Sequence, residues 1–252
     1  MRGRQGMALI LILWVVTLVG LLVLWTGREV RTVVGGAQGF SLAARDYLLA
    51  YSGLQEALVR LTLSDPEARW VPDGTRKTLR IDGRRLEVSV EPEHLRLNVN
   101  RAKEDALAGV LEEVGLAVDE VAQAILDFKD RDNVPRPQGA EEEYYQGLTP
   151  PYRPVNRPFQ VLEELLYVKG IDRDVLYRRQ PPRLLDLVTL WGGRTVQPQE
   201  GEAEEEEPEL KPGRSYRITV STGRLTVMAV VVYLPHTEGV FKVRYRCEFY
   251  PR

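Results

Sequence analysis

The densest chemistry in the chain is the acidic stretch Asp127-Phe-Lys-Asp130-Arg-Asp132, which continues through Asn-Val-Pro135-Arg-Pro137-Gln-Gly-Ala to Glu141-Glu142-Glu143. These six carboxylates gather hard oxygen ligands in one short segment tied by two prolines. Calcium accepts about six to eight oxygens in flexible geometry, so such a loop could close around it. The spacing is not that of an EF-hand: counted from Asp130, the third ligand position falls on Val134 and the required glycine is absent. Residue types alone leave two readings open, a solvated, self-capped acidic loop and a loop ordered by a structural calcium ion. Paired carboxylates can also serve acid–base catalysis, but nothing in the sequence sets a base beside a nucleophile.

Other reactive groups are sparse. The chain has one cysteine, Cys247, and two histidines, His94 and His236, so neither a disulfide framework nor a multi-histidine zinc site is expected. No HExxH, GxSxG or P-loop string occurs, and no enzyme activity is expected. Over 252 residues, 34 Lys+Arg balance 36 Asp+Glu for a formal charge of -2, so no general basic surface awaits nucleic acid. The 44% hydrophobic content is that of a folded chain.

Alternation supplies the strands. Thr78–Ile81 and Arg84–Val90 flank Asp82-Gly83, a two-residue hairpin signal, and Leu95, Leu97 and Val99 continue the period. Near the C-terminus, Tyr216, Ile218 and Val220 share one face. Phe241, Val243, Tyr245, Cys247 and Phe249 share another, and Leu225–Leu234 is apolar on both. Cys247 thus reads as core packing. The intervening segment is helical by period: Ala106–Val114, Val118–Phe128, Pro158–Val168 and Arg183–Trp191. Junctions at Gly115 and Gly170 have the form of helix-hairpin-helix units, which would make a membrane-anchored DNA receptor the alternative function. Glu112, Glu113, Asp119 and Glu120 occupy the first hairpin without a Lys or Arg, which removes the chemistry that holds phosphate.

The N-terminus is of a different kind. Met7–Gly27 carries no charged side chain and, at about 1.5 Å per helical residue, is long enough to cross a bilayer. Beyond it, Val30, Val33, Val34, Ala37, Phe40, Ala44, Leu48, Tyr51, Leu54, Leu58 and Leu61 recur every three or four residues, and no proline occurs before Pro66. One helix from Met7 to about Leu63 is expected, apolar all round at first and then on one side.

Arg4-Gln5-Gly6-Met7-Ala8-Leu9-Ile10 resembles the leader and cleavage site of type IV pilin-like proteins. The resemblance implies that a prepilin peptidase cuts after Gly6 and that Met7 becomes a methylated first residue. Where that family usually places a glutamate, at the fifth mature position, this chain has Leu11. A carboxylate in the bilayer is costly unless it pairs with the amine of a subunit above it, so Leu11 fits a subunit with nothing above. The stretch from Asp127 to Tyr145, the following Pro150-Pro-Tyr-Arg-Pro-Val-Asn-Arg-Pro158 and Val168-Lys-Gly-Ile171 resemble the inserted helical domain of the type II secretion minor pseudopilin K family.

That resemblance implies an α+β, type IV pilin-like fold: a long N-terminal transmembrane and amphipathic helix packed on an antiparallel sheet, with an inserted α-helical domain. The boundaries are a leader at 1–6, a membrane segment at 7–27, a first pilin part at 28–99, the helical insert at 100–193, an acidic linker at 194–213 and terminal strands at 214–252. The implied location is the bacterial inner membrane, single-pass, with the globular part in the periplasm. Implied partners are the I and J minor pseudopilins, other pseudopilins, prepilin peptidase and secreted substrate proteins, with assembly through Leu11, Val30, Val33, Val34, Ala37 and Phe40. The resemblance also implies calcium on some of Asp127, Asp130, Asp132, Glu141, Glu142 and Glu143. The sequence departs from the family after Thr189-Leu-Trp-Gly-Gly193, where a glutamate-rich run replaces a further helical motif.

Overall fold

The computed structural model describes residues 2–178, 182–196, 209–236 and 240–250; the side chains of 2–12, 23–24 and 26–38 lie outside that description. The chain divides into two units, Met1–Leu48 and Leu49–Arg252. The first is helical and belongs to α1 (Arg2–Leu61). Among the described residues no helix is long and apolar enough to cross a membrane. The side chains of residues 7–12, part of the apolar run, are outside them, as are those of Gly6, Leu11, Val30, Val33, Val34 and Ala37. Phe40, the remaining residue of the expected assembly stripe, is 78% exposed.

The second unit is built on a five-stranded antiparallel sheet of β1 (Lys77–Ile81), β2 (Arg84–Pro92), β5 (Ser215–Ser221), β6 (Thr226–Tyr233) and β7 (Phe241–Phe249) in that order. Asp82 and Gly83 both take positive φ, 50° and 72°, so the Asp-Gly pair makes the tight turn its sequence calls for. β6 is buried on both faces, as its continuous apolar run requires. The helical part of the chain lies between β2 and β5, which are neighbours in the sheet.

Register assigns the two faces. Val88, Val220 and Val227 align across the sheet, as do Val90, Ile218 and Ala229. The end of α1 packs on this face through Ala50, Leu54, Ala57 and Leu61, all buried. Leu48 and Tyr51 of the expected stripe are instead exposed. Gly53 makes the approach close: a Cβ there would lie 2.9 Å from Val220 Cγ1. Gly53→Leu is therefore expected to destabilise this unit by about 1–3 kcal/mol in urea unfolding, despite leucine's better helix propensity.

The other face carries Met228, Val230, Tyr245, Cys247 and Phe249 into a core shared with the helical insert. Trp191 stacks on Tyr245 at 4.5 Å, and the Tyr177 and Phe249 rings meet at a tilt with centroids 5.1 Å apart. Cys247 lies inside this core, where burial pushes its thiol up to about 12. Val243 does not join it. A bulge between Val230 and Val231 shifts the register, so Val243 pairs with Val231 and lies 51% exposed.

In the insert, α2 (Glu104–Glu113) and α3 (Val118–Lys129) form a hairpin. Gly115, at φ 76°, ends α2: its N–H donates to Glu112 O and the Leu116 N–H to Leu111 O. Two expected helices are shorter or of another type. Pro158–Val168 contains only a 3-10 turn at Leu162–Tyr167, whose apolar residues Leu162 and Leu165 recur every three. Arg183–Trp191 contains only α6 (Leu184–Leu187); Val188–Thr189 then becomes β4, pairing in parallel with β3 (Leu97–Asn98). Residues 95–99, expected to alternate as a strand, supply the end of a 3-10 turn and this two-residue β3. The short α4 (Glu142–Gln146) and α5 (Arg173–Tyr177) complete the insert. Most of the expected acidic linker, 197–208, lies outside the described residues.

Candidate metal centre

α3 positions the first ligand. Its buried face runs through Val121, Ala124, Ile125 and Phe128, and Asp127 sits in the same layer, fully buried. Phe128 is held by Tyr145 (edge-on, 5.2 Å) and Phe159 (stacked, 5.9 Å), so the last turn of α3 has an aromatic backing. A carboxylate at this depth needs hydrogen-bond donors. The loop after α3 returns to supply them: the Arg136 N–H (3.1 Å) and Ala140 N–H (2.9 Å) both donate to Asp127 Oδ2.

Gly139 permits that return. A Cβ at this position would fall 1.9 Å from Asp127 Oδ2, a separation no side chain survives. Gly139→Ala should therefore force the loop off Asp127 and lower stability by about 1–3 kcal/mol, measured by urea unfolding.

The loop also delivers Arg136 and Glu141. Arg136 Nη1 donates to Asp127 Oδ1 and, at 2.7 Å, to Asp130 Oδ2. Lys129 Nζ donates to Val99 O (2.6 Å), and burial, with the Arg136 charge second, pushes that ammonium down to about 8. Glu141, at the N-terminal boundary of α4, is 4% exposed, and neither of its carboxylate oxygens has a hydrogen-bond partner. Asp130 Oδ1 is likewise buried and without one. Burial, followed by the charges of Asp127, Asp130 and Asp132, pushes the Glu141 carboxyl up to about 7.

Asp127, Asp130 and Glu141 each offer an oxygen within 4.8 Å of the others. Buried carboxylate oxygens without donors and an all-oxygen donor set fit a hard divalent cation such as calcium, not a zinc ion. The other three acidic candidates lie outside this group. Asp132 Oδ1 caps the loop by accepting the Val134 N–H (3.0 Å), Glu142 pairs with Arg153 (2.9 Å), and Glu143 is exposed. The acidic run is thus both self-capped, at Asp132, and convergent, at three other carboxylates.

Two features escaped sequence reasoning. Arg136, between Pro135 and Pro137, gave no signal beyond its charge. Arg217 lies between two inward residues of β5, a position that alternation turns to solvent; the insert covers it instead. Its Nε donates to Glu93 Oε2 (2.9 Å) and its Nη2 to Glu93 Oε1 (2.5 Å) and Val188 O (2.9 Å). Arg96 joins the same cluster through Glu91 (2.5 Å) and Asp186 O (2.9 Å). These contacts lock the insert to the sheet beneath the centre's domain.

Residues 86–190, which include the carboxylate centre and the Glu93 end of this lock, match the family profile for type II secretion system (T2SS), protein K. That segment, less than half of the chain, is similar to the family. Curated relatives include type II secretion system protein K of Pectobacterium carotovorum subsp. carotovorum, 42% identical over 64 residues, and a protein of Escherichia coli (strain K12) described under the same family name, 40% identical over 63 residues. Each match covers 25% of this chain and 19% of the relative, so the chain is matched over about a fifth of those proteins' length. A solved structure, the GspK-GspI-GspJ complex of the enterotoxigenic Escherichia coli type 2 secretion system, is similar to 88% of this chain. The similarity covers 99% of that chain, with 15% identity and a TM-score of 0.44.

Proposed function

We propose that the chain is a minor pseudopilin at the tip of a type II secretion pseudopilus, acting by assembly and not by catalysis. The observation that carries the reading is the match to protein K at 86–190, a region that takes in most of β2 and the helical body between β2 and β5. A bulky insert of this kind suits an end subunit, because a shaft subunit must pack on copies above and below. Leu11 supports the same position, since a terminal subunit has no amine above it to neutralise a buried carboxylate.

In this reading prepilin peptidase cuts after Gly6 and Met7 is methylated. The apolar run Met7–Gly27 anchors the subunit in the inner membrane with its body in the periplasm. The I and J minor pseudopilins associate along the N-terminal helix, the three prime the filament, and the exposed body contacts secreted substrates. Asp127, Asp130 and Glu141 hold calcium, which supplies the positive charge that orders the loop between α3 and α4.

The DNA-receptor alternative has little to stand on. In the α2–α3 hairpin the Gly115 and Leu116 N–H groups are spent on α2 carbonyls, and Glu112 and Glu113 are exposed beside them. At the second junction Lys169 pairs with Glu120 (3.0 Å). Mixing the chain with the I and J minor pseudopilins of its own system should give one complex containing all three by size-exclusion chromatography and mass spectrometry. Separate elution of the three at micromolar concentration would oppose the reading.

A further inference from the structure

The carboxylate centre already holds a cation that belongs to the protein. Arg136 Nη1 bridges Asp127 Oδ1 and Asp130 Oδ2, while Asp127 Oδ2 is committed to two backbone N–H groups. The opposite side of the cluster is empty of donors: both Glu141 oxygens and Asp130 Oδ1 are buried without a partner. An ion ligated by all three carboxylates must take an oxygen from Asp127. The one not already saturated by backbone donors is Oδ1, the atom the guanidinium holds. A guanidinium and a divalent ion on one oxygen repel each other in a site largely shielded from water. The two partners also differ in freedom. Asp127 is fully buried at the end of a helix, whereas the Arg136 side chain is 36% exposed and has solvent to move into.

We infer that Arg136 is a built-in competitor for the metal: its guanidinium neutralises Asp127 and Asp130 when no ion is bound, and swings to solvent when a divalent cation takes the three carboxylates. The inference rests on the calcium reading of this centre and adds a residue that sets its affinity. It also gives the fully buried Asp127 a counter-charge that the loop itself carries. Binding then exchanges one cation for another, and the loop after α3 has two arrangements of similar stability instead of a folded and an unfolded one.

The test compares the full-length chain in detergent with Arg136→Gln, titrating calcium chloride by calorimetry and recording thermal unfolding with and without calcium. The variant should bind calcium at least about tenfold more tightly, and calcium should raise its Tm by more than it raises the parent's. Binding by the variant alone also supports the competitor role, and shows that in the parent the arginine stands in for the ion. If the parent binds and the variant binds equally or more weakly, Arg136 is no competitor while the calcium reading stands. No binding by either protein overturns both. Should Arg136→Gln fail to fold without calcium, recovery of its circular dichroism on adding calcium supports the inference, and failure to recover at millimolar calcium overturns it.

Discussion

Glu93→Ala will lower the unfolding free energy of the body by about 3–5 kcal/mol, the cost of leaving a buried charge without its partner. Glu93 has no exposed surface and Arg217 is 2% exposed, so water cannot replace the lost carboxylate. The guanidinium would keep its contacts to Leu185 O and Val188 O, but these are neutral acceptors and do not balance its charge. Arg96, whose Nη1 lies 3.5 Å from Glu93 Oε2, would add a second cation to the same space. The pair also joins β5 to the segment carrying α6 and β4, so the loss should loosen the insert on the sheet. Urea unfolding followed by tryptophan fluorescence measures the change. Replacing both partners, Glu93→Leu with Arg217→Met, should recover most of the loss, because an apolar pair of similar volume needs no desolvation of charge. A single-variant cost below about 1 kcal/mol would contradict the buried-pair account.

Without metal, stability should fall as pH rises through the range in which Glu141 ionises. Its carboxyl titrates at about 7 in the folded chain against an ordinary value of 4.5, so the native state holds a proton that the unfolded state has released. Stability from this group is therefore fully present below about 4.5 and lost by somewhat above 7, a swing on the order of 3 kcal/mol. The groups that face it are Asp127, Asp130 and Asp132, which oppose ionisation, and Arg136, which favours it. Glu141→Gln should flatten that dependence in EDTA and make the metal-free protein more stable at pH 8 by a similar amount. With calcium at about 100 times its Kd the parent should gain about 2.7 kcal/mol, and the variant much less. Thermal unfolding of both proteins from pH 5 to 8 in EDTA and in calcium separates these effects. A parent that becomes more stable between pH 5 and 7 in EDTA would refute the placement of Glu141.

Much of the frame was legible because its signals are local. The Asp82-Gly83 turn, the double-faced apolar run of β6 and the α2–Gly115–α3 hairpin all follow from spacing within a few residues. What escaped depends on contacts distant in sequence. Val243 alternates correctly with Tyr245, yet one bulged residue reverses its face. Arg217 alternates as an outward residue, but the insert turns that outer face into an interior one. Val188–Thr189 continues an apolar helix pattern and becomes a strand because Leu97–Asn98 offers a partner some ninety residues away.

The candidate centre was legible in the same partial way. Residue types located an acidic loop, but no spacing rule separates Glu141 from Glu142 and Glu143. That choice is made in three dimensions, where the chain preceding α4 turns Glu141 inward and leaves Glu142 to pair with Arg153. Gly139 gave no sign of its role, since its need arises from the closeness of Asp127, twelve positions earlier.

The measurement that bears most directly on the central claim is the position of this chain in an assembled filament. Pseudopili should be produced with an epitope tag on the body of this subunit, labelled with gold-conjugated antibody and viewed by electron microscopy. A tip subunit predicts label at one end only, with the shaft bare. Label repeated along the shaft would show that the subunit can be stacked between others, and the tip assignment would fail.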